Sequence, residues 1–336
     1  MSRSLTVVTA PPGLTVQDLG RPGWLAQGVP QGGAADRLAL AEGAALLGQE
    51  VGTAALEMAA GGVFRASADM RIALTGAPAR AEVDGRRLAW NASHLLHRDA
   101  QLAVSAPARG VWSYLHLGGG IATPPQLGSR AAHLSLGLGL RIEAGAALPL
   151  GDDPGGPTEM RLEIADRCGG GPVRILPGVH TALFSEDDRA RFAATGFRRG
   201  ARGNRQGIAL DHDGALFAAQ GQLDLVSEVV VPGDVQMTGS GQPYVLLPEC
   251  QTIGGYPRIG TVAPVDLPRV AQAPPGAPLR FDFVTLEAAL ADHATPDDWV
   301  RRLARAVQPL RRDPADIPDL LSYTLVSGVT AGDPPP

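Results

Sequence analysis

Val231-Pro232-Gly233-Asp234-Val235-Gln236-Met237-Thr238-Gly239-Ser240-Gly241-Gln242-Pro243-Tyr244-Val245-Leu246-Leu247 contains two short apolar runs, Val235–Thr238 and Tyr244–Leu247, each entered through glycine or proline. Valine, tyrosine and threonine suit a pleated, half-buried surface, whereas glycine and proline end strands and supply turns. The stretch reads as two strands and a turn, and the pattern recurs on both sides of it. Leu5–Thr9, Met70–Thr75, Gln101–Ser105 and Val111–Leu117 read as strands in the first half. Val173–Leu176, Leu223–Val231 and Leu279–Phe283 do so in the second. Asp84-Gly85 between two runs suits a hairpin turn. Helical patterns are few: Asp36–Leu47, with Asp36 as N-cap and Gly48 as stop, Ser185–Ala194 and Thr295–Val307. The fold class expected is mainly β.

Composition agrees. The chain has 336 residues, 43 of them glycine and 29 proline, as a fold of many short connections requires. Its net charge of −5 argues against nucleic acid, which needs clustered basic surface. All 29 cations are arginine. With no lysine there is no Schiff base, no P-loop lysine and no attachment point for biotin. Cys168 and Cys250 stand far apart, as in a reducing cytoplasm. No apolar run approaches the ~18 residues of a membrane span, and Met1–Ala10 lacks a signal-peptide core, so a cytoplasmic location is expected.

Two turn-and-strand segments, Ala144–Leu150 and Pro275–Phe281, resemble each other, and two apolar strands lead to glycine clusters at Gly118–Gly120 and Gly254-Gly255. These suggest a weak internal repeat. Gly151–Thr158, rich in Gly, Pro and Asp, suits a linker.

Three motifs carry a resemblance to a known family. The first is Gly13-Leu14-Thr15-Val16-Gln17-Asp18-Leu19-Gly20-Arg21-Pro22-Gly23, continued by Gly28-Val29-Pro30 and Gly33-Ala34-Ala35-Asp36. The second is Gly118-Gly119-Gly120-Ile121 with Leu127-Gly128-Ser129-Arg130. The third is Val231-Pro232-Gly233, Gly241-Gln242-Pro243 and Gln251-Thr252-Ile253-Gly254-Gly255-Tyr256-Pro257-Arg258-Ile259. Over roughly residues 5–285 the chain resembles the allophanate hydrolase subunit 2 family, or carboxyltransferase subdomain A/B. That family includes the C-type subunit of 5-oxoprolinase and the KipA antagonist.

The resemblance implies two cyclophilin-like β-barrel halves in tandem with a few short helices. Their expected limits are 1–150 and 172–285, with a linker at 151–171 and a C-terminal helical extension and disordered tail at 286–336. It implies a B-type (KipI-like) partner subunit and, in the oxoprolinase system, an A-type subunit. ATP would then enter through the complex, and biotin only on a separate carrier. The chain departs from the family where Glu249, Cys250, Ile253 and Arg258 replace the usual Asp, Arg, Thr and Lys. It also departs at Gly203-Asn204-Arg205-Gln206-Gly207 and Gly32-Gly33-Ala34-Ala35-Asp36. Arg258 can hold an anion but cannot donate a proton as lysine does.

Chemistry on an amide needs donors for the growing oxyanion, an acid or cation, and a rigid pocket. Gly254 and Gly255 can bare backbone N–H groups, with Gln251, Tyr256 and Arg258 on the same loop and Glu249 as acid or base. The alternative is a tight turn with Tyr256-Pro257 packed beneath it. Asp18 and Arg21 are close enough to pair around a substrate; the alternative is a loop in which Asp18 caps N–H groups and Arg21 clamps carbonyls. Asn204 and Arg205 form a third candidate, against a solvated turn. Cys250 has no base in its pattern, Glu249 alone more often forms a surface ion pair, and His94 and His97 lack a third ligand, so no metal is expected. Three functions remain: ATP-dependent opening of 5-oxoproline to glutamate in a complex, biotin-dependent carboxyl transfer to urea or a related amide, and KipA-like capture of a kinase-inhibitor partner without catalysis.

Overall fold

Ser4–Thr9 buries Leu5 and Val7 and turns the alternate residues outward, the period of a strand with one face on a core. The computed structural model describes residues 3–221 and 225–311. The chain is mainly β. In its first half a six-stranded antiparallel sheet runs in the order Ala147–Pro149, Ser4–Thr9, Gly62–Ala66, Gln101–Pro107, Ala79–Val83, Arg86–Arg87. Asp84 and Gly85, at φ 48° and 83°, make the hairpin turn between the last two.

A second sheet has the order Leu14–Gln17, Ala55–Met58, Ser113–Leu117, Met70–Gly76, Ala92–Leu96, Met160–Arg161, Gln308–Pro309. Its last two strands come from the connecting segment and from the far end of the described chain. The sheets share a core of Leu5, Val16, Leu56, Phe64, Ile72 and Leu115. Helix α1, Arg37–Leu47, covers the second sheet's other face. Asp36 caps it through Ala39 N at 3.1 Å. Its Gly43 sits flat against the His116 ring, where a Cβ would come within 2.2 Å of the imidazole.

The second half is a closed barrel of seven strands: Gly171–Leu176, Arg258–Val262, Asp234–Met237, Pro243–Leu246, Gly207–Asp211, Phe197–Gly203 and Pro278–Phe283. The first and last pair in parallel to close it. Phe192 of helix α2, Glu186–Ala194, packs beside the barrel residues Phe197 and Phe281. Of Leu223–Val231, expected as one strand, the described residues contribute Glu228–Val229, which pairs with Ile253–Gly254 outside the barrel. Leu223 and Asp224 lie outside the described residues.

Three further helices complete the described chain: α3 at Leu267–Gln272, α4 at Leu286–Ala291 and α5 at Pro296–Ala304. The expected helix 295–307 therefore stops sooner, at Ala304. The expected tail falls on residues 312–336, outside those described. No helix among the described residues is long and apolar enough to cross a membrane.

One hydrophobic cluster spans both halves, joining Ala39, Leu40, Trp112 and Tyr114 to Phe197, Val235 and Phe281. Polar groups buried with it must be paired. Arg167 bonds Asp36 at 2.7 Å and grips Glu42 at 2.7 and 2.9 Å. Gln272 of α3 reaches Asp36 and the Trp112 carbonyl, both at 2.8 Å, and accepts the Val111 and Trp112 N–H groups. This network locks the barrel to the first half. Burial raises the Glu42 pKa, and the Arg167 charge works against that rise.

Candidate functional site

The residues singled out from the sequence fall into two places. At the seam between the halves, Arg205, Glu249 and Arg21 come together from three separate motifs. Arg205, on the turn between two barrel strands, extends its guanidinium into the first half. It donates from Nε to Glu249 Oε1 at 2.5 Å, from Nη1 to Glu57 Oε1, and from Nη2 to the Gly33 carbonyl. A planar fork with fixed donors suits three acceptors in different directions. The Glu249 N–H also donates to the Arg205 carbonyl at 2.8 Å, so the two loops move together. Burial opposes the Arg205 charge, but Glu57 and Glu249 outweigh it and hold its pKa above the ordinary value.

Glu57 is fully buried. It lies on Ala55–Met58 opposite Tyr114 of the neighbouring strand. Tyr114 Oη donates to Glu57 Oε2 at 2.6 Å, and the Ala35 N–H donates to the same oxygen at 2.8 Å. Tyr114 Oη in turn accepts the Asp36 N–H at 2.9 Å. Burial, then the Glu57 and Asp36 charges, push the Tyr114 pKa well up, so it stays a donor.

Beside Glu249 stands His133, its Nδ1 3.9 Å from Glu249 Oε2 and its Nε2 buried without a partner among the described residues. Burial lowers its pKa, against the pull of Glu249. Arg21, 1% exposed, donates to the Ala131 and Gln126 carbonyls, while its Nη1 is likewise buried without a partner among the described residues. Burial lowers the Arg21 pKa against the Asp18 and Glu249 charges. Asp18 does not pair with Arg21. It accepts the Gly20 N–H at 2.7 Å, Ser129 Oγ at 2.6 Å and the Arg130 N–H at 2.7 Å, pinning its own loop. Gly20 and Gly33, at φ 83° and 84°, let the 18–21 and 31–33 segments touch; a Cβ on either would lie within 2.8 Å of the other's backbone. Asn204 is exposed and accepts the Gln206 N–H in a local turn.

The second place is the barrel edge. Arg258 is 8% exposed and turned inward. Nη1 donates to the Val229 carbonyl at 2.6 Å and lies 3.3 Å from Asp234 Oδ2; Nη2 donates to Glu228 Oε2 at 2.6 Å. Its terminal nitrogens are thus taken by protein groups, and Nε is buried without a partner among the described residues. His180 Nε2 is 3.3 Å from the same Glu228 oxygen. Gln251 is exposed and bonds Gln236 at 3.3 Å. Gly254 pairs with Glu228 in the short ribbon, where a side chain would strike Gln236 Nε2 at 2.8 Å. A side chain at Gly255 would approach Ser227 Oγ at 3.3 Å. Tyr256 is half exposed.

Glu57, Tyr114 and His133 are not among the residues that the sequence marks. A lone acid in the fully buried strand Ala-Leu-Glu-Met is the available signal, since such a charge must be paired.

Residues 27–283 match the family described as carboxyltransferase domain, subdomain A and B. The chain belongs to that family. Within this carboxyltransferase-domain family, two curated relatives are each named as the C subunit of 5-oxoprolinase. The one from Escherichia coli is 32% identical over 306 residues, covering 89% of this chain and 97% of the relative. The one from Haemophilus influenzae is 30% identical over 298 residues, covering 87% and 95%. Among solved structures, TTHA0988 is 28% identical with a TM-score of 0.76; the match covers 84% of this chain but only 56% of that one. Kluyveromyces lactis urea carboxylase, 20% identical with a TM-score of 0.79, shares the fold over 93% of this chain and 31% of its own.

Proposed function

We propose that this chain is the C-type subunit of a bacterial 5-oxoprolinase, which opens 5-oxoproline to glutamate together with A- and B-type subunits. The observation that carries the reading is near-full-length likeness to two proteins named as that subunit. ATP enters through the complex, since this chain has no P-loop lysine. The setting is cytoplasmic.

Hydrolysis of the lactam adds water to the carbonyl carbon, breaks the C–N bond and leaves a carboxylate and an amine; ATP cleavage drives it. The seam offers groups for each need. Glu249, oriented by Arg205, takes the proton of the attacking water and returns it to the nitrogen as the C–N bond breaks. Arg21 Nη1 and His133 Nε2, both buried without partners among the described residues, are the donors assigned to the negative charge that grows on oxygen. Tyr114 and Glu57 hold Arg205 in place and touch no substrate. Gln251 and Tyr256, exposed beside Gly254 and Gly255 at the barrel edge, offer surface to a partner subunit, and Arg258 braces that edge.

Reconstitution with cognate A and B subunits tests this. ATP-dependent release of glutamate from 5-oxoproline is expected, with none from this chain alone. A folded, assembled complex that releases no glutamate overturns the reading. The family description favours a second reading, carboxyl transfer from a separately carried biotin to urea or a related small amide. It predicts consumption of carboxybiotin by the same complex.

A further inference from the structure

A cavity of about 510 Å³ lies between the two halves and the C-terminal helices, behind the 34–35 and 248–250 segments that border the polar seam. It falls within the ~300–1,000 Å³ of small-molecule sites. Leu25, Val230, Pro232, Leu267 and Trp299 are among its walls, and Arg37 lines it from the first turn of α1. Most polar side chains in the lining are already occupied. Gln31 donates to the Leu19 carbonyl at 3.0 Å, Thr261 to Asp234 at 2.6 Å, and Thr295 bonds Asp298 as the cap of α5.

Arg37 differs. Among the described residues its guanidinium has one long contact, 3.5 Å to the Gly32 carbonyl, and no carboxylate within ion-pair distance. Burial lowers its pKa with no acid to offset it. A half-buried cation without a counter-charge is costly, and an anion supplied by a ligand removes that cost. A guanidinium edge can grip a carboxylate or a phosphate, but a single positive charge is neutralised by a singly charged carboxylate and leaves a doubly charged phosphate with an unmatched charge in an apolar cavity. The remaining walls reward apolar surface at roughly 25 cal/mol per Å².

We propose that this cavity binds a monocarboxylate with an extended apolar body, its head on Arg37 and its tail against Trp299 and Leu267. The site is distinct from the seam. 5-Oxoproline fits it poorly, because its lactam N–H and C=O would be buried against apolar walls. Pro248 and Cys250 line the cavity while Glu249 between them faces the seam, so an occupant touches the segment that carries Glu249.

Octanoate is the probe, with octanol as its uncharged match and 5-oxoproline as the polar carboxylate. Binding to the full chain is followed by calorimetry and by Trp299 fluorescence, with Trp299→Phe as the optical control. Octanoate is expected to bind saturably, and at least tenfold more tightly than octanol or 5-oxoproline. Arg37→Gln is expected to weaken octanoate at least tenfold while leaving octanol unchanged. Val231→Trp, at a partly exposed position in the wall, is expected to block both. The proposal fails if folded wild-type protein does not bind octanoate, if Arg37→Gln binds it as tightly, or if 5-oxoproline binds there better.

Discussion

Glu57 and Arg205 pair across the junction of the two halves, 148 residues apart in sequence. Glu57 is sealed from water, and its remaining lone pairs take the Ala35 N–H and Tyr114 Oη. Arg205 also carries Glu249. One guanidinium therefore ties the first-half sheet, the loop before α1 and the barrel loop bearing the candidate base into one rigid unit. A base must be held to within fractions of an ångström to be effective, and this linkage supplies the support.

Glu57→Gln keeps the shape and removes the charge. It should cost about 3 kcal/mol, the lower end for breaking a buried ion pair, because Arg205 retains Glu249. The denaturant midpoint should fall with an unchanged m-value. Adding Arg205→Met should cost less than the sum of the two single changes, since the Glu57–Arg205 interaction is lost only once, although Glu249 then also loses its arginine partner.

Glu249→Gln should fold normally and reduce kcat for glutamate release in the reconstituted complex by roughly 10²-fold or more, with little change in KM. Steady-state kinetics decides it. Equal activity in the variant would remove Glu249 from the proton-transfer step.

His116 is buried, and its pKa is pushed down to about 3 by loss of water. Thr75 Oγ1 lies 2.9 Å from the Ala39 carbonyl, to which it donates, so the 2.8 Å contact to His116 Nε2 has the ring as donor. Below about pH 6.5 the unfolded chain takes up a proton here that the folded chain refuses. The stabilising effect of the neutral ring is complete above that pH and is lost as pH falls towards 3, by up to about 1.4 kcal/mol per pH unit. His116→Phe should flatten this part of the stability–pH curve, as followed by urea melts between pH 4 and 8.

Arg258→Gln leaves Asp234, 3% exposed, with only Thr261 Oγ1 and the Val231 N–H among the described residues. It also leaves Glu228, the anchor of the Glu228–Val229 ribbon, with the His180 ring alone among the described residues. Stability should drop by about 2–3 kcal/mol, and limited proteolysis should cut first between Leu225 and Val231.

The strand pattern is readable because its signals are local. Period-two burial, Asp84-Gly85 at a hairpin and Asp36 before α1 each act within a few residues. Family motifs mark Arg21, Arg205 and Glu249 individually. Arg258 reads from its motif as a free anion fork, and the structure instead commits it to Glu228, Asp234 and the Val229 carbonyl. Spacing along the chain does not report which acid a long arginine reaches.

The mainly β class, the helix caps and the absence of lysine chemistry follow from residue order alone, since propensity, capping and side-chain type are properties of short segments. Closure of the barrel in the second half, the convergence of Glu57, Arg205, Glu249 and His133, and the position of Arg37 over an apolar cavity were decided by folding. Burial in a shared core makes an acid on one strand seek a cation more than a hundred residues away, and only the packed chain determines which one it meets.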